Sequence, residues 1–170
     1  MKTPDWITIA SAFIAGLALV VSIIALWISS KQEKAMQKQF SFEIITSCTT
    51  RFQEILELID SPDEKQKIRG YKKYIDLCNE ELFYFQQGYI PNDIVKEWLD
   101  GMIVFIPHYD KNEKKGDNDK IQEKFISDNK LLENYPRIKN IFIVDKVYDI
   151  NKPKERINLV EELLKNIKKR

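Results

Sequence analysis

The chain has 170 residues, of which 27 are lysine or arginine and 26 are aspartate or glutamate, so its formal net charge is only +1. Near-neutral balance argues against a dedicated nucleic-acid-binding protein, which would present a basic face. The chain also lacks zinc-finger spacing and a basic arm with interleaved aromatic residues. We therefore expect no nucleic-acid partner.

The first element is an uncharged run of 25 residues from Trp6 to Ser30. As a helix, the stretch between Trp6 and Trp27 covers roughly 31 Å, which matches a bilayer core and places one indole at each interface as an anchor. A cleaved signal peptide has a shorter apolar core, and a buried helix of this length needs a larger globule. The run therefore predicts a transmembrane anchor over residues 1–30, with the lipid bilayer as a partner.

Lysines flank this span unequally. Lys2 precedes it, whereas Lys31, Lys34 and Lys38 follow within ten residues. Because basic residues favour the cytoplasmic side, the asymmetry predicts a single-pass protein of the inner (plasma) membrane with its N-terminus outside and its C-terminal part in the cytoplasm.

Small residues recur along the span at alternating steps of three and four, which places them on one helical face. Bulky residues keep the same rhythm on the opposite side. This pattern predicts close helix packing and a homo-oligomer, the alternative being that membrane spans are generally rich in alanine and serine. The predicted packing face comprises Thr8, Ser11, Ala15, Ala18, Ser22, Ala25 and Ser29.

Residues 31–60 are expected to form a stalk and a first amphipathic helix. No proline or glycine interrupts them, so the helix of the span can continue through this segment, with a break near Ser29 or Ser30 as the alternative. Helical spacing of apolar residues predicts a buried face comprising Ile45, Cys48, Phe52, Ile55 and Ile59.

Residues 61–170 are expected to form the helical cytoplasmic domain. Its first helix is predicted to start with Ser61 as N-cap and Pro62 at the first helical position, and to stop at Gly88. It should pack antiparallel to the preceding helix. Its predicted seam comprises Ile68, Tyr71, Ile75, Cys78, Leu82 and Phe85.

The next helix is predicted to open after Pro91 and to run to about Ile106. A mobile loop is expected at residues 109–120, where residues 110–120 include no apolar side chain, and a short helix at 121–129. The predicted buried face of the helix before this loop comprises Ile94, Val95, Trp98, Leu99, Met102, Ile103 and Ile106.

Residues 138–147 fit either a strand, because of their β-branched residues, or a helix that begins near Pro136; we favour the helix. A final helix is predicted from Pro153, because proline suits a first turn. Its predicted face comprises Ile157, Val160, Leu163, Leu164 and Ile167. The expected fold class is thus all-α: one N-terminal transmembrane helix followed by a small cytoplasmic helical bundle.

Three sequence features resemble a group of uncharacterised bacterial membrane-anchored helical proteins. They are a Leu-Cys-x-Glu-Glu stretch within residues 74–85, then Gly-Tyr-Ile at 88–90, then a helix with Trp98, Gly101 and Met102. The resemblance implies architecture only, namely one span followed by a helical domain, because the group has no established activity.

Catalytic patterns do not emerge from the sequence. His108 is the only histidine and is expected to be solvated or to cap a helix end locally. Cys48 and Cys78 are expected to be small core residues in a reducing compartment. Glu80 and Glu81 are candidate structural polar residues. Glu81 borders the seam, where its carboxylate could pair with Arg69, Lys72 or Lys73 or accept a hydrogen bond from a tyrosine hydroxyl. We expect no enzyme activity, cofactor or metal.

These features predict a membrane-anchored helical interaction module that associates through its span and engages an unidentified cytoplasmic protein. The alternative is a membrane-perturbing effector, such as a toxin-like component of a bacterial defence system. A third class, an enzyme, would need a carboxylate-only or backbone-based site that residue spacing does not reveal.

Overall fold

The computed structural model describes residues 5–110 and 134–169, with the backbone alone for residues 5–12, 14 and 15. The described residues form five helices and one pair of two-residue strands, which confirms the all-α prediction. The chain divides into two compact units after Phe42. The elements are α1 (Asp5–Ile59), α2 (Glu64–Gln86), α3 (Asn92–Phe105), β1 (Tyr109–Asp110), α4 (Pro136–Phe142), β2 (Ile143–Val144) and α5 (Pro153–Lys168).

Helix α1 is continuous for 55 residues, so no break occurs near Ser29 or Ser30. Its sequence passes without proline from the uncharged run into the charged segment, and the backbone hydrogen bonds need no interruption. Among the described residues, α1 is the helix that is long and apolar enough to cross a membrane. In the first unit its large apolar side chains are exposed, including Leu17, Leu19, Val20, Val21, Ile23, Ile24, Leu26 and Trp27.

Helix α2 begins two residues later than predicted. Asp63, not Ser61, is the N-cap, and its carboxylate accepts a hydrogen bond from the Lys65 amide at 2.9 Å. Ser61 instead accepts from the Asp63 amide at 3.2 Å, so it stabilises the turn before the helix. The predicted end is correct, since Gly88 has a φ of 71° and its amide donates to the Phe85 carbonyl.

The core of the second unit lies among the later part of α1 and the four helices that follow. Most predicted faces are buried, including Cys48, Ile55, Leu82, Leu99, Met102 and Leu163. Some assignments are wrong. Ile68 on α2 is 49% exposed and Ile157 near the start of α5 is 61% exposed. Leu77 and Leu159, outside the predicted faces, are fully buried. A double hydrogen bond from Arg156 to the Asp100 carboxylate, at 2.5 and 2.6 Å, joins α5 to α3.

The two strands correct the loop prediction at its start. Tyr109 and Asp110 pair in parallel with Ile143 and Val144, so these two residues are not part of a mobile loop. Residues 111–120 and the short helix predicted at 121–129 lie outside the described residues. For residues 138–147, the helix is correct as far as Phe142, and the β-branched pair that follows it forms β2.

Candidate functional site

A cavity of about 210 Å³ lies in the second unit between α1, α2 and α3. Its wall combines aromatic and other apolar side chains with two carboxylates. The lining residues are Cys48, Thr49 and Phe52 from α1, Tyr74 and Glu81 from α2, and Glu97, Trp98, Gly101 and Met102 from α3.

The cavity wall is open at one glycine. Gly101 lies on the wall, and a Cβ atom added there would meet no atom within 4 Å. Ring contacts hold the aromatic part of the wall in place: the Tyr74 ring lies 5.7 Å from that of Phe52, and the Trp98 ring lies 5.8 Å from that of Phe85, between ring centres. The cavity is therefore open beside Gly101, and ring contacts fix the positions of its aromatic side chains.

Glu81 is the buried carboxylic acid of the cavity and is only 7% exposed. Burial raises its pKa to about 8; Arg51 opposes this increase and Glu80 adds to it. Within the part of the chain that the structure describes, Glu81 forms no hydrogen bond or ion pair. At neutral pH the Glu81 carboxyl is therefore mostly protonated.

Glu80, the adjacent residue, has the opposite environment. Its carboxylate accepts hydrogen bonds from Arg51 at 2.7 Å and from the Tyr84 hydroxyl at 2.8 Å. Burial alone would raise the pKa of Glu80, but these two hydrogen bonds lower it below its usual value. The pairing expected for Glu81 was wrong: the cation in this region is Arg51 rather than Arg69, Lys72 or Lys73, and both it and the tyrosine hydroxyl bind Glu80. Consecutive residues point about 100° apart around a helix, so Glu81 faces elsewhere.

Both cysteines are free and buried, as predicted. Cys48 lines the cavity, and burial, followed by the nearby Glu81 and Glu80, raises the pKa of its thiol to about 12. Burial also raises the pKa of Cys78 well above its usual value. The thiolate is the reactive form of cysteine, and both thiols keep their protons near neutral pH. Neither is therefore activated as a nucleophile.

The expectation for His108 was wrong: this residue is fully buried rather than solvated. Its Nε2 atom accepts a hydrogen bond from the Tyr148 amide at 3.0 Å, so it links two segments 40 residues apart. Its Nδ1 atom has no partner among the described residues. Burial lowers the pKa of His108, and the residue does not line the cavity.

The described part of the span presents the later members of the predicted packing face. Ala18, Ser22, Ala25 and Ser29 are exposed, and the Ser22 hydroxyl donates to the Ala18 carbonyl at 2.8 Å. The side chains of Thr8, Ser11 and Ala15, and of the predicted anchor Trp6, lie outside the described residues. The other anchor, Trp27, is 60% exposed, and the Lys31 ammonium lies 3.7 Å from the centre of its ring.

Sequence reasoning had selected Glu81 but missed the cavity that gives this residue its environment. Nothing in the sequence marks Glu97 or Gly101 on α3 as cavity residues, because that role depends on which helix lies opposite. No group of three histidine, cysteine, aspartate or glutamate residues that could hold a metal ion occurs in the described ranges. The arrangement is chemically suited to holding a small molecule.

No protein-family model, curated protein or solved structure matches the chain. The resemblance to membrane-anchored helical proteins stays a prediction. Two features of the molecule bear on its function: the exposed apolar helix and the cavity of the helical domain.

Proposed function

We propose that the chain is a single-pass membrane-anchored module whose helical domain binds a partner in the cytoplasm. The observation that carries this proposal is the exposure of consecutive large apolar side chains in the first unit, from Leu17 to Ile28. Water-soluble proteins rarely leave so large a continuous apolar surface uncovered. A bilayer covers such a surface completely and needs no second protein to do so.

The charges at the end of the span support the proposed sidedness. Lys31, Lys34 and Lys38 follow the apolar segment on the same helix. The Lys31 ammonium lies over the Trp27 ring, an arrangement suited to the headgroup region, where both side chains are favoured. We therefore assign the second unit to the cytoplasmic side of the plasma membrane.

Membrane association can be tested with charged substitutions on α1. We expect the wild-type chain to sediment with membranes without detergent. Val20→Asp combined with Ile24→Asp should release it, because each aspartate costs about 3 kcal/mol at the centre of a span. Met36→Asp combined with Phe42→Asp is the matched control, since both residues are exposed on the same helix beyond the uncharged run. Wild-type protein in the supernatant would overturn the anchor, and protease removal of the second unit from intact cells would overturn its sidedness.

Self-association through the span is the second part of the proposal. The exposed small residues Ala18 and Ser22 permit close approach of another helix, and the Ser22 hydroxyl is already satisfied within α1. We expect Ala18→Leu combined with Ser22→Leu to abolish the ladder of cross-linked species in membranes. Val20→Leu combined with Ile24→Leu, on the bulky side, should leave it intact. An unchanged ladder in the first variant would rule out this face.

A further inference from the structure

We propose that the cavity between α1, α2 and α3 binds a small organic ammonium ion, an amine with an apolar body of about one ring, whose charge lies beside Glu81. This site is independent of membrane anchoring and of the partner of the domain. The charge, the walls and the size of the cavity all suit such a ligand.

The carboxyl groups of Glu81 and Glu97 make the lining of the cavity acidic. Glu81 is 93% buried and has no partner among the described residues, while the exposed Glu97 also lies on the wall. Among the described residues that line the cavity, none is a lysine, arginine or histidine. The nearby Arg51 is held by Glu80 at 2.7 Å. A cation is therefore the ligand that would supply the missing partner of Glu81.

The walls suit the rest of such a ligand. Phe52, Tyr74 and Trp98 contribute aromatic surface, and Met102 contributes a polarisable thioether. Ammonium ions bind favourably over aromatic faces, most of all over tryptophan. The apolar body of an amine would lie against the same surface, away from water. An anion would find no cationic partner among the described residues that line the cavity.

The size of the cavity limits the ligand. A cavity of about 150 Å³ accommodates benzene, whereas sites for drug-sized molecules begin at about 300 Å³. At about 210 Å³, this cavity accommodates one ring with a short aminoalkyl arm, or an aliphatic amine of similar volume. Nucleotides and peptides are too large for it.

Binding of an ammonium ion is coupled to release of a proton. The free carboxyl of Glu81 is mostly protonated at neutral pH, because its pKa is about 8, and the ammonium ion favours the carboxylate. The proton leaves to solvent as the cation enters. Affinity should therefore rise about tenfold per pH unit below pH 8, level off near that value, and fall in stronger alkali where the amine loses its own proton. The titratable and charged groups that face Glu81 are Cys48 and Arg51 on α1, Tyr74, Cys78 and Glu80 on α2, and Glu97 on α3.

Among the groups whose pKa is raised by burial here, Glu81 is the one that titrates near neutral pH. Burial raises the pKa of the Tyr74 hydroxyl and of the Cys48 and Cys78 thiols, so all three keep their protons. The Arg51 guanidinium keeps its charge. The pH dependence of binding consequently reports on Glu81.

Benzylamine is the probe for this site, with benzyl alcohol and benzoate as neutral and anionic compounds of similar size. The full chain in lipid nanodiscs, labelled with ¹³C on its methionine methyl groups, provides the readout. Met102 lines the cavity, whereas Met36 is exposed on α1 and serves as the internal reference. We expect millimolar benzylamine to shift the Met102 signal saturably and to leave Met36 in place, with about tenfold tighter binding at pH 7 than at pH 6.

Two variants make the test specific. Glu81→Gln should weaken benzylamine at least tenfold and remove the pH dependence, whereas Glu57→Gln, on an exposed part of α1, should change neither. Gly101→Leu adds a side chain at the open wall and should abolish the Met102 shift without removing any native group. The proposal is overturned if Met102 does not respond to benzylamine, if benzyl alcohol or benzoate binds as tightly, or if Gly101→Leu binds like wild type.

Discussion

Replacement of Glu81 by glutamine is expected to raise the free energy of unfolding of the helical domain by about 3 kcal/mol at neutral pH and to leave it unchanged in acid. The usual pKa of a glutamate is 4.5, whereas that of folded Glu81 is about 8. Below pH 4.5, Glu81 is protonated in both the folded and the unfolded chain. As pH rises, the unfolded chain releases its proton first, so the stability due to the neutral carboxyl is lost progressively until pH passes the folded pKa. Glutamine stays neutral and avoids this loss.

Unfolding of the full chain in detergent micelles, followed by near-ultraviolet circular dichroism from acid to alkaline pH, measures this difference. His108 titrates in both proteins, so its contribution cancels. Glu80→Gln is the informative comparison, since the pKa of Glu80 is lowered and the substitution should cost stability near neutral pH, by less than about 1 kcal/mol because its ion pair is partly exposed. Equal unfolding curves for wild type and Glu81→Gln in alkali would contradict the assigned pKa.

The helices of this protein could be predicted because their signals are local. The apolar spacing of α3 and the absence of proline and glycine after Ser30 are properties of single segments, and both predictions are confirmed. The predicted start of α2 is two residues too early because Ser61 and Asp63 are both suitable N-cap residues. The choice between them depends on the turn that connects α1 to α2, where Ser61 stabilises the loop and Asp63 caps the helix.

The cavity and the environment of His108 could not be predicted because they depend on contacts between distant segments. His108 is fully buried and accepts a hydrogen bond from the Tyr148 amide, 40 residues away. Glu80 and Glu81 have nearly the same local sequence, yet only Glu80 meets Arg51, 29 residues earlier. Helical periodicity places Glu81 at the seam. Whether its carboxyl faces a cation or a cavity depends on the residues that α1 and α3 present to it.

The close packing of α2 against α1 can be measured by replacing a helical glycine with alanine at a crowded position, Gly70, and at an open one, Gly101. We expect Gly70→Ala to lower the free energy of unfolding of the domain by about 1–3 kcal/mol, because an added Cβ would overpack the contact between α2 and the end of α1. That Cβ would lie 2.9 Å from the Ile59 backbone nitrogen and 3.0 Å from the Leu58 Cβ. Neither atom belongs to the flexible end of a side chain, so relief requires the two helices to separate.

Gly101→Ala is the matched control, since it adds the same methyl group to a helix interior where nothing lies within 4 Å. Alanine loses less backbone entropy than glycine on folding, so this variant should be about 0.5–1 kcal/mol more stable than wild type. Thermal unfolding of both variants, followed by near-ultraviolet circular dichroism, separates the steric effect from helix propensity, because propensity favours alanine at both positions. If Gly70→Ala were as stabilising as Gly101→Ala, then α1 and α2 would not approach as closely as the Ile59 contact requires.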